Sequence, residues 1–403
     1  MFDVSKIREQ FPILKREVNG RDLVYFDNGA STQKLQSVID TVSNYYKEEN
    51  SNVHRGVHFL SGLATDKFEE SREVIRKFVG AKHAHEIIFT KGTTDSINLV
   101  ANGFRSLLKK GDEIIISELE HHSNIVPWQL IAKKTKAKIR SIPLLENGEL
   151  DLSESDSLFN QKTKIVSVTH MSNVLGTINP LKRLSDLAHK VGAKFIVDGA
   201  QGVPHMKINL KQIDCDFYVF SGHKMLGPTG IGVLWGKYEL LNKMEPFLGG
   251  GEMIDSVTLE ESTWNEVPYK FEAGTPNFVQ AIGLGEAINY LEDLDMKSIE
   301  DHERELTKFA LEELNRVENI KLHGSAKNRG GVISFTLKDI HSLDLAQFLN
   351  EDNIAIRVGH HCAQPLLNKL GETSTARISF YLYNDDSDIS KLCKTLKKVQ
   401  SYF

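Results

Sequence analysis

Residues 163–200, TKIVSVTHMSNVLGTINPLKRLSDLAHKVGAKFIVDGA, decide the fold. TKIVSVTH (163–170) and AKFIVDGA (193–200) are short apolar runs rich in β-branched residues, and the amphipathic LKRLSDLAHKVG (181–192) lies between them. A strand, a helix and a second strand make a βαβ unit. The same alternation extends outward: EIIFT (86–90) precedes TTDSINLVANGF (93–104), and DEIIIS (112–117) precedes HHSNIVPWQLIAKK (121–134). From about Glu86 to Leu234 the pattern predicts an α/β layer architecture with a mostly parallel sheet. Ligands of such sheets bind beyond the carboxyl ends of the strands. The segments that follow the runs, KGTTDS, ELEHHSN, HMSNVLG, DGAQG and SGHK, therefore share one rim.

After about Tyr290 the pattern changes. The charged amphipathic SIEDHERELTKFALEELNRV (298–317) leads into strand-like GGVISFTL, helical SLDLAQFLNED, strand-like IAIRV, the loop GHHCAQP, strand-like ARISFYLY and a last helix. This reads as a smaller α+β domain. The expected organisation is an N-terminal segment 1–20 packing with the small domain, a large domain 21–290 and a C-terminal small domain 291–403. FLGGGEMIDSV (247–257) is a glycine-rich loop, but it lacks the Lys-Ser/Thr that completes a P-loop.

At 403 residues the chain is long for a single core. With 40% hydrophobic and 26% charged residues its composition is that of an ordinary globular protein. A formal net charge of −5 leaves no electrostatic footprint for nucleic acid. The opening MFDVSKIREQFPILKREVNG has no uninterrupted apolar stretch of the kind a signal peptide or membrane span needs, so a cytoplasmic location is expected. The three cysteines, Cys215, Cys362 and Cys393, are too sparse for a disulfide framework.

FSGHKMLGPTGIGVLW (220–235) sets Lys224 in a turn between two strand-like stretches, and Asp198 ends the run KFIV some way upstream. A lysine and a carboxylate at neighbouring strand ends are what pyridoxal phosphate requires. The amine forms a Schiff base, and the carboxylate keeps the pyridine nitrogen protonated. Thr93 and Thr94 open a helix whose free N–H groups suit the phosphate. His121 follows a rim strand, where an imidazole can stack on a flat ring and move protons. Cys362 lies in RVGHHCAQP beside His360 and His361 with Arg357 near, and cationic neighbours favour the reactive thiolate. The other two cysteines read as small buried hydrophobes. Adjacent His-His-Cys cannot readily converge on one zinc ion, so no metal is expected. Arg377 is suited to a substrate carboxylate or to a surface ion pair.

With SGHKMLGPTGIG, VDGAQ, THMSNVLGT, ELEHHSNIVPW, NVHRGVH, FEAGTPN and RVGHHCAQP in this order, the chain resembles the cysteine desulfurases, in particular the SufS-type group II branch related to selenocysteine lyases. These are fold-type I, class V pyridoxal-phosphate enzymes. The resemblance implies a large domain with a mostly parallel seven-stranded sheet and a smaller α+β domain. It implies Lys224 as the Schiff-base lysine, Asp198 on the pyridine nitrogen, Gln201 on the phenolic oxygen, and Thr94, Ser221 and His223 on the phosphate. It places Thr275 on the phosphate of a partner subunit, and hence implies a homodimer. His121 would stack on the ring, Asn173 and Arg377 would hold the substrate carboxylate, and Arg357 would stand near the cysteine loop. The implied reaction converts L-cysteine to L-alanine and leaves a persulfide on Cys362, from which sulfur passes to an acceptor for iron–sulfur cluster assembly. A selenocysteine lyase acting on L-selenocysteine, or another class V enzyme, is the alternative. The short segment between Cys362 and Arg377 suits group II. Leu343 departs from the histidine that enzymes serving the SufU acceptor carry before the aspartate matching Asp344, with His341 two residues earlier. A SufE-type or SufU-type acceptor thus stays open.

Overall fold

The computed structural model describes residues 2–18 and 20–402. In chain order the large unit contains α1 (Phe59–Val79), β1 (Ile87–Thr90), α2 (Thr93–Gly103), β2 (Glu113–Ser117), α3 (Val126–Thr135), β3 (Lys138–Ile142), β4 (Thr163–Thr169), α4 (Leu181–Lys190), β5 (Lys194–Asp198), β6 (Phe217–Ser221), β7 (Gly232–Gly236) and α5 (Phe278–Leu294). The seven strands form one sheet in the order β1-β7-β6-β5-β4-β2-β3. All neighbours are parallel except β7, which runs antiparallel to both β1 and β6. This is the α/β fold expected from the sequence.

Every residue of β2 and of β6 is buried, because helices cover both faces of the sheet. Successive side chains point to opposite faces. Val166, Val197, Tyr218 and Phe220 therefore join a core shared with α1, α4 and α5. Ile165, Ile196, Phe217 and Val219 join the opposite core, which contains Trp128 of α3 and Leu99 of α2. Continuous apolar runs are the consequence, and they explain why these strands do not alternate in hydropathy. Among the described residues no helix is long and apolar enough to cross a membrane.

The C-terminal part comprises α6 (Met296–Leu314), β8 (Ile320–His323), β9 (Val332–Leu337), α7 (Ser342–Glu351), β10 (Arg357–Gly359), α8 (Gln364–Leu370), β11 (Thr375–Ser379) and α9 (Asp386–Gln400). Its antiparallel sheet has the order β8-β9-β11-β10 and packs on a separate core from Leu306 to Val399. Val24 and Phe26 also belong to that core, and Val24 pairs in parallel with Ile354. In the N-terminal helix, Val4–Glu9, Arg8 donates to the Tyr383 carbonyl at 2.8 Å and to Asp388 at 3.1 Å, whereas Ile7, Phe11 and Leu14 lie in the large core.

Three stretches differ from their sequence reading. IAIRV divides at Ile356, because Ile354–Ala355 pairs with Val24–Tyr25 and Arg357–Gly359 pairs with β11. ARISFYLY leaves the sheet after Ser379, since a turn closes from the Asn384 N–H to the Tyr381 carbonyl at 2.9 Å and Asp385 caps α9. The glycine-rich loop continues into a hairpin of Ile254–Val257 and Ser262–Trp264.

A buried ion pair fastens the β1 edge. The Arg72 guanidinium of α1 donates to both oxygens of Glu272 at 2.7 and 3.0 Å and to the Ile87 carbonyl at 2.8 Å, while Glu272 also accepts the Phe89 N–H at 2.8 Å. Both side chains are almost wholly buried, so removing one strands the other charge away from water. Arg72→Met is expected to lower the unfolding free energy by about 3–5 kcal/mol, read as a fall in the urea midpoint with the slope unchanged. An unchanged midpoint would show that the pair contributes nothing net.

Candidate active site

The rim loops enclose a cavity of about 490 Å³. Lys224 enters it from a 3-10 turn, Gly222–Lys224, that directly follows β6. This turn is clamped. The His223 carbonyl accepts the Thr32 N–H at 3.1 Å, the Thr32 and Ser31 hydroxyls at 3.2 Å each and the Lys34 ammonium at 2.9 Å. Thr32 Oγ1 in turn accepts the Leu226 N–H at 2.9 Å. Burial pushes the Lys224 amine down to about 8, with Asp198 opposing. Near physiological pH the neutral, nucleophilic fraction of this amine is therefore far larger than that of an ordinary lysine, although the charged form still predominates.

Asp198, at the end of β5, is buried and accepts the Ala200 N–H at 3.0 Å. Burial raises its pKa, and the Ala200 N–H and Lys224 hold it back. His121 caps a short turn by accepting the Ser123 N–H on Nδ1 at 3.0 Å. Burial, then Lys224, drives its pKa to about 3, so the ring is neutral at physiological pH. Beside it Glu120 is buried and accepts from Ser117, from Asn124 at 2.7 Å and from the Thr169 N–H at 3.0 Å. These bonds fix the segment that presents His121.

At the other end Ser221 Oγ accepts the Thr93 N–H at 2.8 Å and pairs with the Thr93 hydroxyl at 2.7 Å, while the Thr94 and Ser123 hydroxyls stand 2.7 Å apart. A Cβ on Gly232 would fall 2.3 Å from the Gly92 backbone, so only glycine lets β7 pass behind this helix start. His223 lines the same end, its pKa lowered to about 4 by burial first.

The opposite wall comes from the C-terminal part. Cys362 is exposed, and both it and His361 adopt left-handed backbone conformations, with φ of 54° and 52°. Asn173 donates to the His361 carbonyl at 2.8 Å. Arg377 is buried; it donates to the Asn173 carbonyl at 3.0 Å and to Asp27 at 3.2 Å, and its Nε has no partner. Burial lowers its pKa to about 10, against the pull of Asp27. Arg357 binds the same Asp27 in a fork, with contacts of 2.9 and 2.8 Å. Sequence reading missed Asp27, which holds two arginines in register. It also missed Thr32 and Lys34. The available signal was FDNGASTQK, a polar run directly after the apolar LVYF.

Of the residues singled out from sequence, Lys224, Asp198, Gln201, His121, Thr94, Ser221, His223, Asn173, Arg357, Cys362 and Arg377 line this one cavity. Thr275 does not. It lies in a separate depression with Lys91, Asp95 and Asn277. Cys215 and Cys393 are buried, and burial pushes both thiols up, that of Cys393 to about 11. Among the described residues no group of three or more His, Cys, Asp or Glu is placed to hold a metal ion.

The donor set fits a pyridoxal phosphate. Gln201 donates Nε2 to the Gly29 carbonyl at 2.7 Å, and its buried Oε1 has no partner. An isolated buried acceptor is costly, and a polar ligand edge would relieve it. A flat ring, an anionic tail and a carbonyl that condenses with an amine match, in turn, His121 with Asp198, the Thr93–Thr94 helix start, and Lys224.

The class-V aminotransferase family model matches residues 24–392. The chain is 53% identical to a probable cysteine desulfurase of Halalkalibacterium halodurans over 100% of this chain and 99% of that protein. It is 51% identical to one of Staphylococcus aureus over 100% of this chain and 98% of that protein. The fold superposes on the cysteine desulfurase CsdA of Escherichia coli with a TM-score of 0.93 at 38% identity, covering 100% of both chains. The apo cysteine desulfurase of Thermococcus onnurineus gives 0.94 at 39% identity, covering 99% of this chain and 98% of that one. A pyridoxal-phosphate-dependent cavity built on this sheet, together with likeness running end to end, leads to one conclusion: the chain belongs to the class-V aminotransferase family and, within it, to the cysteine desulfurases.

Proposed function

We propose that the protein converts L-cysteine to L-alanine and takes the sulfur onto Cys362 as a persulfide. One observation carries this reading: Lys224, with its lowered pKa, and the exposed thiol of Cys362 open into the same cavity. Pyridoxal phosphate, when bound, supplies an electron sink next to the substrate Cα. Lys224 would hold it covalently, Asp198 would keep its ring nitrogen protonated, His121 would lie against its ring and Gln201 would meet its phenolic oxygen. Thr94, Ser221 and His223 would bind the phosphate, and Thr275 would serve the phosphate of the partner subunit's cofactor in a homodimer.

The Arg377 guanidinium, with its free Nε, and Asn173 bind the substrate carboxylate. The Lys224 amine would remove the Cα proton. The Cys362 thiolate then attacks the substrate sulfur. An S–S bond forms, the C–S bond breaks, and its electron pair goes to Cβ, which takes a proton to become the alanine methyl group, while the proton held by Lys224 returns to Cα. Arg357, fixed by Asp27, lies on the thiol side of the cavity. From Cys362 the sulfur passes, in the cytoplasm, to an acceptor protein of the SufE or SufU type for iron–sulfur cluster assembly. Leu343 is exposed beside the helix-capping His341, so the surface here differs from the SufU-type pattern. Incubation of purified holoprotein with L-cysteine and a reductant is expected to release alanine and sulfide in equal amounts; alanine without sulfide would exclude desulfuration.

Lys224 must be neutral to condense with the cofactor. A lowered lysine pKa means the reactive fraction grows as pH rises through about 8. Uptake of pyridoxal phosphate by the apoprotein should therefore speed up with pH and reach half its limiting rate near that value. Asp198 raises the Lys224 pKa, so Asp198→Asn should move the midpoint lower. A midpoint near an ordinary lysine value in the wild type would contradict the burial of this amine.

A further inference from the structure

His122 follows the ring-stacking His121, yet it is absent from the cavity wall. It points instead at the segment that carries the thiol. Its main-chain N–H donates to the Cys362 carbonyl at 2.7 Å, and its ring Nε2 accepts the Gln364 N–H at 3.1 Å. Gln364 is the first residue of α8, and the N-cap residue Ala363 has no side-chain group to offer that helix. First-turn N–H groups need an acceptor, and an imidazole from another strand end supplies one. Within the loop the Cys362 N–H donates to His360 Nδ1 at 3.1 Å, and the His122 and His360 rings lie 5.6 Å apart.

These bonds hold two consecutive residues, His361 and Cys362, in the left-handed region that side chains ordinarily avoid. Both imidazole bonds use a ring nitrogen as acceptor, and a protonated imidazole has none. Protonating His122 therefore cancels the tie to Gln364. The titratable groups acting on its ring are His360 from the loop and His121 from its own element, both imidazoles with no carboxylate to favour charge. Burial, then His360, lowers its pKa.

We infer that His122 is a positioning residue of the sulfur-carrying loop, fastening Cys362 and the start of α8 to the rim through a neutral imidazole. The tie is intact above the His122 pKa and is lost as pH falls through it. The importance of the loop rests on the reading of Cys362 as sulfur carrier, but the tie can be measured without turnover.

The test is hydrogen exchange of the peptide spanning residues 357–370 in the holoprotein, corrected for intrinsic exchange, at about pH 8 and about pH 5, the range over which histidine changes charge. Wild type should lose protection severalfold on acidification, the loss setting in below the ordinary histidine range because burial lowers the His122 pKa, a local opening at this loop. His122→Ala should be unprotected at both pH values. His122→Gln, whose amide oxygen reaches where Nε2 stands and does not titrate, should lose clearly less protection than wild type on acidification. Alanine formation at about pH 8 should fall in His122→Ala mainly through kcat and be restored in His122→Gln. Equal protection in wild type and His122→Ala, or acid-induced loss in His122→Gln matching wild type, would overturn the inference. Absence of sulfide release with normal protection would instead count against Cys362 as sulfur carrier and leave the tie standing.

Discussion

Replacing Lys224 with alanine is expected to lower kcat/KM for L-cysteine by about 10⁴-fold or more, with the fold unchanged. A positioned base contributes roughly 10²–10⁴ in rate, and this amine is also the covalent anchor of the cofactor, so two losses combine. The site offers no substitute. His121 is held at about 3 and His223 at about 4, so both are too weakly basic to remove a Cα proton. Lys34 has a comparably low pKa of about 8, but its ammonium is committed to the Thr32 and His223 carbonyls at 2.9 Å each. The variant should bind pyridoxal phosphate without the absorption of a lysine-bound Schiff base, and added small primary amines should restore part of the rate. A variant that kept more than a hundredth of wild-type activity would show that Lys224 is not the base.

Cys362→Ala is expected to lower sulfide output by about 10³-fold or more, since removal of a nucleophile leaves only what binding and positioning supply. The visible spectrum and the binding of L-cysteine should survive, because Cys362 stands on the wall opposite Asp198 and Lys224 and none of the hydrogen bonds that seat them passes through its side chain. Neither remaining thiol can take over: Cys215 and Cys393 are buried, and burial disfavours both thiolates. Retained sulfide release in this variant would remove the persulfide from the account.

The central sheet was legible because a strand buried on both faces must be a continuous apolar run, and runs such as IIFT and FIVD end on the polar residues that form the rim. The direction of β7 was not legible, since an antiparallel return through PTG reads the same as any strand after a turn. Lys224, Asp198 and Cys362 stood out because each is a chemically costly group at a strand end or in a short turn. Asp27 did not. Its meaning comes from Arg357 and Arg377, some 330 and 350 residues away in sequence, and no local pattern encodes that meeting. Asn173 shows the complementary limit. The resemblance implied a substrate contact for it, and in the structure its amide donates to the His361 carbonyl, which joins the strand end to the thiol loop. Thr275 lies away from the Lys224 cavity, in a separate depression with Lys91, Asp95 and Asn277.

The most direct test of the account is mass analysis of the peptide bearing Cys362 after the holoprotein meets L-cysteine without reductant. The account predicts one added sulfur atom on Cys362, one alanine released per modified chain, and reversal by a thiol reductant with release of sulfide. Alanine released with Cys362 unmodified would contradict it.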